Sequence, residues 1–515
     1  MQVLCAVGAV ALVCLALLQA AQVESASVSG QRQLLKGSLV GRRRLPPPPP
    51  RRGNRLGDDA VTTHWYPTQL LDHYDVTNDA RWSQRYFANP SLYEEGGPIF
   101  IFIEGEGEAQ SGWIAEGGSF MYSLAEELKA KMYVLEHRYF GKSRPFPNIT
   151  TENLLWLTPD QAIADLARFI EYLIDQGEMK EGQKVAVFGG SYPGNLAAWS
   201  RYKFPHLINA AVASSAPVRA KLNFPEYMEV VTRSIRSVDG DECADNVQRG
   251  LERLRKLAMT TDGLKQIQKW FYMCDPLDTS NKLDMDMFFN ILSNPFATAT
   301  QYNRDNSGAK YSIKSQCKYM KDKKTDDDAA AALADVFVAS QYFIIGCIDW
   351  TYKANTESLR SIEYKGADRQ WVYMTCTSFG YYQTPDGDTI FPKGYFGLDY
   401  FLQQCTDAFG ENFAEKLNQK GVTRTNVVYG ALKPDVEHVM FVNGEIDPWH
   451  ALGVVEPLNA ESPAVLISTT SHCYDMYPNQ YADSDELRQA RERIREFLID
   501  ALYESPDSDN PTISP

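Results

Sequence analysis

Short apolar runs alternate with amphipathic segments in the first third of the chain, and the same texture returns near its end. Pro98–Glu104, Met132–Glu136, Lys184–Phe188 and Ile208–Ala213 predict buried strands, while Asp160–Ile174 and Asn195–Phe204 predict helices. Val439–Val442 and Ala464–Ile467 predict two further strands, and Ser484–Tyr503 a long amphipathic helix. Such alternation implies an α/β class with a mainly parallel sheet covered on both faces. Between about Lys221 and Gly430 charge, Met and Cys rise, and helical stretches such as Val247–Leu257 and Asp326–Ala339 take over. The simplest organisation is one α/β domain over 60–220 and 431–505, interrupted by a largely helical insertion over 221–430, with 506–515 a flexible tail.

Residues 4–21 form an apolar run with small residues near its end, so 1–22 read as a signal peptide. A membrane anchor is the alternative, but the run is short for a span, and Gln19, Gln22 and Glu24 follow or close it. Residues 23–59 carry Arg42-Arg43-Arg44, five prolines and Arg51-Arg52. They predict a disordered basic leader or propeptide, with dibasic sites open to processing. Of 51 Lys+Arg, 8 fall in residues 1–59, and of 66 Asp+Glu only 3, which leaves 43 against 63 in the body. A body that acidic argues against nucleic acid as a partner. It suits the secretory pathway, in a lysosomal or endosomal vesicle or outside the cell. No later run is long enough to span a membrane in the mature chain.

The seven cysteines after the leader are Cys243, Cys274, Cys317, Cys347, Cys376, Cys405 and Cys473. In an exported chain most should oxidise, and an odd count leaves at least one free. No Cys/His spacing suggests zinc, so no metal and no cofactor is expected. Asn148-Ile149-Thr150 is a glycosylation sequon in a proline-flanked loop.

The most specific chemistry sits at Ser191. The run Val185-Ala186-Val187-Phe188-Gly189-Gly190-Ser191-Tyr192-Pro193-Gly194 takes a strand into a helix through two glycines and a serine, the layout of a nucleophile elbow. Pro193 stands where that motif usually has its second glycine, and Gly194 follows. A serine hydroxyl needs a base, and on this kind of sheet the order is nucleophile, acid, histidine, each past a strand end. Asp447 follows Val439–Val442 through Asn443-Gly444-Glu445-Ile446, and His472 follows Ala464–Ile467 through Ser468-Thr469-Thr470-Ser471. Ser191, Asp447 and His472 are therefore the expected triad. The Tyr192 N–H and a donor in the loop after Pro98–Glu104, with Gly105 the candidate, would hold the oxyanion. Of the other histidines, His137 reads as structural, and His450 stands too close to Asp447 to rank as the base. Asp475 reads as a loop-orienting residue. Glu104, Glu106 and Glu108 could hold a substrate ammonium, or simply be solvated.

These residues resemble the family of lysosomal Pro-X carboxypeptidase, dipeptidyl peptidase II and thymus-specific serine protease. The resemblance rests on Gln84-Arg85-Tyr86-Phe87, Glu136-His137-Arg138-Tyr139-Phe140-Gly141, Gly189-Gly190-Ser191-Tyr192, Ala213-Ser214-Ser215-Ala216-Pro217-Val218, Asn443-Gly444-Glu445-Ile446-Asp447-Pro448-Trp449 and Ser471-His472-Cys473-Tyr474-Asp475-Met476. It runs from about Trp65 to Leu502. It implies an α/β-hydrolase fold with a helical cap over 221–430, the same triad, and exopeptidase action on short peptides, in known members after proline. It also implies Trp449 as a pocket wall suited to a proline ring, and pairs Cys243 with Cys317, Cys274 with Cys347, and Cys376 with Cys405. Two departures touch the cleft. Trp371-Val372-Tyr373-Met374-Thr375-Cys376-Thr377-Ser378 lacks the family's Gln and Glu, and Cys473 replaces a second histidine. Proline preference is therefore left open, as is the choice between amino- and carboxy-terminal attack.

The expected partners are peptides, and a homodimer is compatible with the chain. Two other readings stay open: an esterase or lipase on the same fold, and a hydrolase-like binding protein without catalysis.

Overall fold

A computed structural model describes residues 60–303, 312–341 and 346–503, together with the backbone of Arg32–Leu34. The strands are β1 (Arg32–Leu34), β2 (Thr62–Leu70), β3 (Arg81–Asn89), β4 (Ile99–Ile103), β5 (Lys131–Leu135), β6 (Val185–Gly190), β7 (Ala210–Ser214), β8 (Lys221–Asn223), β9 (Cys347–Asp349), β10 (Gly380–Tyr382), β11 (Val439–Gly444) and β12 (Ala464–Ile467). Eight of them form one sheet in the order β12-β11-β7-β6-β4-β5-β3-β2. From β12 to β5 every pairing is parallel; β3 and β2 close the far edge antiparallel.

Every residue of β4, β6, β7 and β11 is buried, as continuous apolar runs require when helices cover both faces. Their side chains divide by the two-residue period of a strand. Ile99, Ile101, Ile103, Val185 and Val187 enter the core on the cap side. Phe100, Phe102, Ala186 and Phe188 enter the core under helices Phe120–Leu128 and Asp485–Tyr503. This is the α/β-hydrolase fold.

Between β7 and β11 the chain builds a roof dominated by helices, among them Glu226–Asp239, Asp241–Leu257, Lys282–Gln301, Asp326–Ser340 and Glu415–Tyr429. β8 pairs in parallel with β10 within it. Three disulfides, Cys243–Cys317, Cys274–Cys347 and Cys376–Cys405, lie wholly in this part, and Cys473 is a buried free thiol.

Three local features differ from the sequence expectation. The helix after Ser191 begins at Tyr192, three residues before Asn195, because proline fits the first turn of a helix. The antiparallel pair β2–β3 has no apolar run to announce β2, most of whose residues are exposed. Within the leader, Arg32–Leu34 is a strand, paired in parallel with Cys347–Asp349, where a disordered segment is expected. β9 is held on its other side by the Tyr272–Cys274 backbone, the Ile348 N–H donating to the Tyr272 carbonyl at 2.7 Å, so Arg32–Leu34 adds the outer strand. The signal peptide 1–22, the rest of the leader and the tail 506–515 lie outside the described residues. Among the described residues no helix is long and apolar enough to cross a membrane.

Candidate active site

Ser191 stands between β6 and helix Tyr192–Lys203 with φ 67° and ψ −133°, a conformation costly for any residue but glycine. The surrounding turn enforces it. A Cβ on Gly189 would lie 2.1 Å from the Pro193 carbonyl oxygen, and one on Gly194 would lie 2.8 Å from the Ser214 oxygen and 2.9 Å from the Ala216 Cβ. The turn therefore takes its second glycine at 194, against β7, and tolerates Pro193 on its outer side. The Ser191 N–H donates to the Ser214 carbonyl at 2.9 Å, which ties the elbow to the end of β7.

Asp447 and His472 leave the same sheet edge from β11 and β12. His472 Nδ1 donates to Asp447 Oδ2 at 2.7 Å, and both side chains are fully buried. Asp447 Oδ1 also accepts the Trp449 N–H at 3.1 Å, and its carbonyl accepts from His450 Nδ1 at 2.7 Å, so the carboxylate is fixed from behind. Burial disfavours charge on His472, yet the Asp447 carboxylate holds the imidazole well above its usual range. His472 Nε2 is buried without a hydrogen-bond partner. The loop that carries His472 reaches the Ser191 turn through β7. The Cys473 N–H donates to Ser215 Oγ at 2.9 Å, and the Cys473 Sγ lies 3.8 Å from the same Ser214 carbonyl that holds Ser191.

Gly105 lies against the elbow. A Cβ there would sit 2.4 Å from Pro193 Cγ and 3.3 Å from Tyr192 Cδ1. The first amides of a helix have no partner within it, so the Tyr192 N–H at this helix start is suited to an anion. Glu136 steadies the loop. It accepts the Ala109 N–H at 3.0 Å and Ser143 Oγ at 2.7 Å, and pairs with Arg85. His137 holds the Tyr192 side chain. Burial pushes its imidazole down to about 4, so it is neutral: Nδ1 donates to the Arg138 carbonyl at 2.7 Å and Nε2 accepts the Tyr192 hydroxyl at 2.9 Å.

Of the three loop acids, Glu104 accepts the Gln110 N–H at 2.8 Å and Glu108 pairs with Arg85 at 3.0 Å. Burial, and after it the Glu106 carboxylate, hold the Tyr192 and Tyr302 phenols well above their usual range. Trp449 packs against Phe224, Tyr227 and Tyr381 with ring centroids 5.3–5.7 Å apart, and its Nε1 is buried without a partner. His450 lines a groove with Arg233, Glu445 and Thr470 that extends to Ser471 and Asn303, next to His472. Asn148 is half-buried in its loop, its Oδ1 accepting from Asn153 Nδ2 at 2.7 Å.

Sequence reasoning missed Gln301, Tyr302 and Asn303. The His472 N–H donates to the Gln301 carbonyl at 2.9 Å, Ser471 Oγ donates to the Asn303 carbonyl at 2.8 Å, and the Tyr302 ring meets the imidazole edge-on at 5.7 Å. No motif marks these residues; only the folded cap brings them here.

The arrangement is that of acyl transfer: a strained serine, a carboxylate-oriented imidazole and a helix start beside a glycine loop. The family described as Serine carboxypeptidase S28 matches residues 69–494. Thymus-specific serine protease of Homo sapiens is 33% identical over 443 residues, covering 84% of this chain and 85% of its own, and that of Mus musculus is 32% identical over 460, covering 87% and 89%. Lysosomal Pro-X carboxypeptidase of Homo sapiens is 27% identical over 461 residues, covering 85% and 89%.

Proposed function

Because the chain belongs to the serine carboxypeptidase S28 family and is a serine-type exopeptidase, we propose that Ser191, His472 and Asp447 carry its chemistry. Ser191 Oγ attacks the peptide carbonyl while His472 Nε2 takes its proton and returns it to the leaving amine. Asp447 holds the tautomer and steadies the imidazolium. The N–H groups of Tyr192 and Gly105 receive the oxyanion. Water then releases the acyl group by the same steps. The observation that carries this reading is the His472–Asp447 bond at 2.7 Å, with Nε2 left unpartnered and the base loop meeting the Ser191 elbow at one carbonyl, that of Ser214.

The substrates are short peptides, since the cap over 221–430 covers the hydrolase domain of 60–220 and 431–505. The aromatic cluster of Phe224, Tyr227, Tyr381 and Trp449 supplies the flat apolar rings that suit a proline, and the Glu106 carboxylate lies near Tyr192 and Tyr302. The acidic body and the disulfides suit a lysosomal or extracellular setting and leave no role for nucleic acid. Labelling with a fluorophosphonate probe, lost in Ser191→Ala, tests the nucleophile. A peptide-library digest read by mass spectrometry tests the substrate class. Turnover of short acyl esters alone, with no peptide cut, would overturn the peptidase assignment to this cleft.

A further inference from the structure

On the loop that carries His472, three residues on, lies a second buried carboxylate, Asp475, that the triad does not use. Its Oδ1 accepts the Ser214 hydroxyl at 2.5 Å, at the C-terminal end of β7. The carbonyl of the same Ser214 accepts the Ser191 N–H at 2.9 Å and lies 3.8 Å from Cys473 Sγ. Ser214 thus grips the nucleophile turn with its backbone and Asp475 with its side chain. The base loop closes the circuit, because Asp475 lies three residues beyond His472 on that loop.

The charged and titratable groups facing Asp475 are Arg491 on helix Asp485–Tyr503, and His472 and Cys473 on its own loop. Arg491 is otherwise engaged. It donates to the Asp475, Tyr474 and Tyr477 carbonyls at 3.0, 3.1 and 2.9 Å, and pairs with the Asp483 carboxylate at 2.6 Å. Burial pushes the Asp475 carboxyl up to about 6, against the Ser214 hydrogen bond and the charges of Arg491 and His472.

We propose that Asp475 is a positioning residue for the hydrolytic step, holding Ser214, and so the Ser191 turn, in register with the base loop while placing negative charge behind His472 as the imidazolium forms. This rests on the reading of Ser191 and His472 as nucleophile and base. An opposite charge favours the protonated imidazole, so ionised Asp475 eases proton transfer from serine. Protonated Asp475 does not.

The test compares wild type with Asp475→Asn on one proline-containing dipeptide amide across the pH range. The expected kcat of the variant is about tenfold lower near pH 7.5 with KM within about twofold. The wild-type to variant ratio falls toward one below about pH 5, where wild type too is uncharged at Asp475. Ser214→Ala, which removes the bond favouring the carboxylate, moves the inflection of kcat to higher pH. A ratio constant across pH would mean packing alone and overturn the proposal. Infrared difference spectra of wild type labelled at aspartate need no variant. A protonated carboxyl band lost between about pH 5 and 7 is expected, and its absence overturns the proposal even where the variants fail to fold. Failure of the parent reading looks different: Ser191→Ala would keep its activity.

Discussion

The backbone N–H of His472 meets the carbonyl of Gln301 at 2.9 Å, so a histidine of the hydrolase sheet hangs from the last residue of the cap helix Lys282–Gln301. Tyr302, next along the chain, packs its ring edge-on to the imidazole at 5.7 Å. Asp447 orients the ring from one side and the cap from the other. Tyr302→Ala is expected to lower kcat about tenfold and to cost about 3–5 kcal/mol of stability as its buried ring is lost. Tyr302→Phe keeps the ring contact and should stay within about threefold of wild type in steady-state kinetics.

Ser191→Ala and His472→Ala should each reduce kcat by about 10⁴–10⁶-fold, and the double variant little further, because the two act as one unit. Asp447→Asn should cost about 10⁴-fold, since the amide favours the wrong tautomer. Single-turnover kinetics on variants with unchanged circular dichroism would check all three.

Two glycines should fail differently. A Cβ on Gly105 meets the ring of Pro193 at 2.4 Å, so to admit it the loop must move back from the Ser191 turn. Gly105→Ala should therefore fold and lose about 10²–10³-fold in kcat, as expected when one oxyanion donor is displaced. A Cβ on Gly189 meets the Pro193 carbonyl oxygen at 2.1 Å, where only backbone can yield. Gly189→Ala should lower the melting temperature and the yield of folded protein before any kinetic effect is measurable.

The strands that lead to Ser191 and Asp447 were legible because each is a short run buried on both faces, and Val185–Gly190 runs straight into Ser191. Chain order and a place just past a strand end then pick Asp447 and His472 from the available acids and histidines. β2 was not legible: residues such as Thr62, Thr63 and His64 are exposed, and its place follows from pairing with β3. Tyr302 was not legible either. It reaches His472 across a large sequence separation, and local periodicity carries no information about such a contact. Gly194 lies between these cases. Its presence one place late is plain in the sequence, but that it packs on Ser214 is a fact of the fold.

Stability should respond to acid through two opposed groups. Burial pushes His137 down to about 4, so the unfolded chain binds that proton first as pH falls. Its contribution is complete above about pH 6.5 and fades as pH falls toward 4. Asp475 is pushed up to about 6 from 3.8, so the folded chain holds that proton longer and the group becomes a burden as pH rises through this window. Each is worth about 3 kcal/mol. Denaturant melts from pH 4 to 7 should show wild type losing its advantage over His137→Gln in acid, while Asp475→Asn gains on wild type toward neutrality.

The attachment of the imidazole to the roof means that the two parts of the molecule share one mechanical joint. Any ligand that propped the helical layer away from the sheet would pull residue 472 with it, so size selection and turnover would be read out at the same bond.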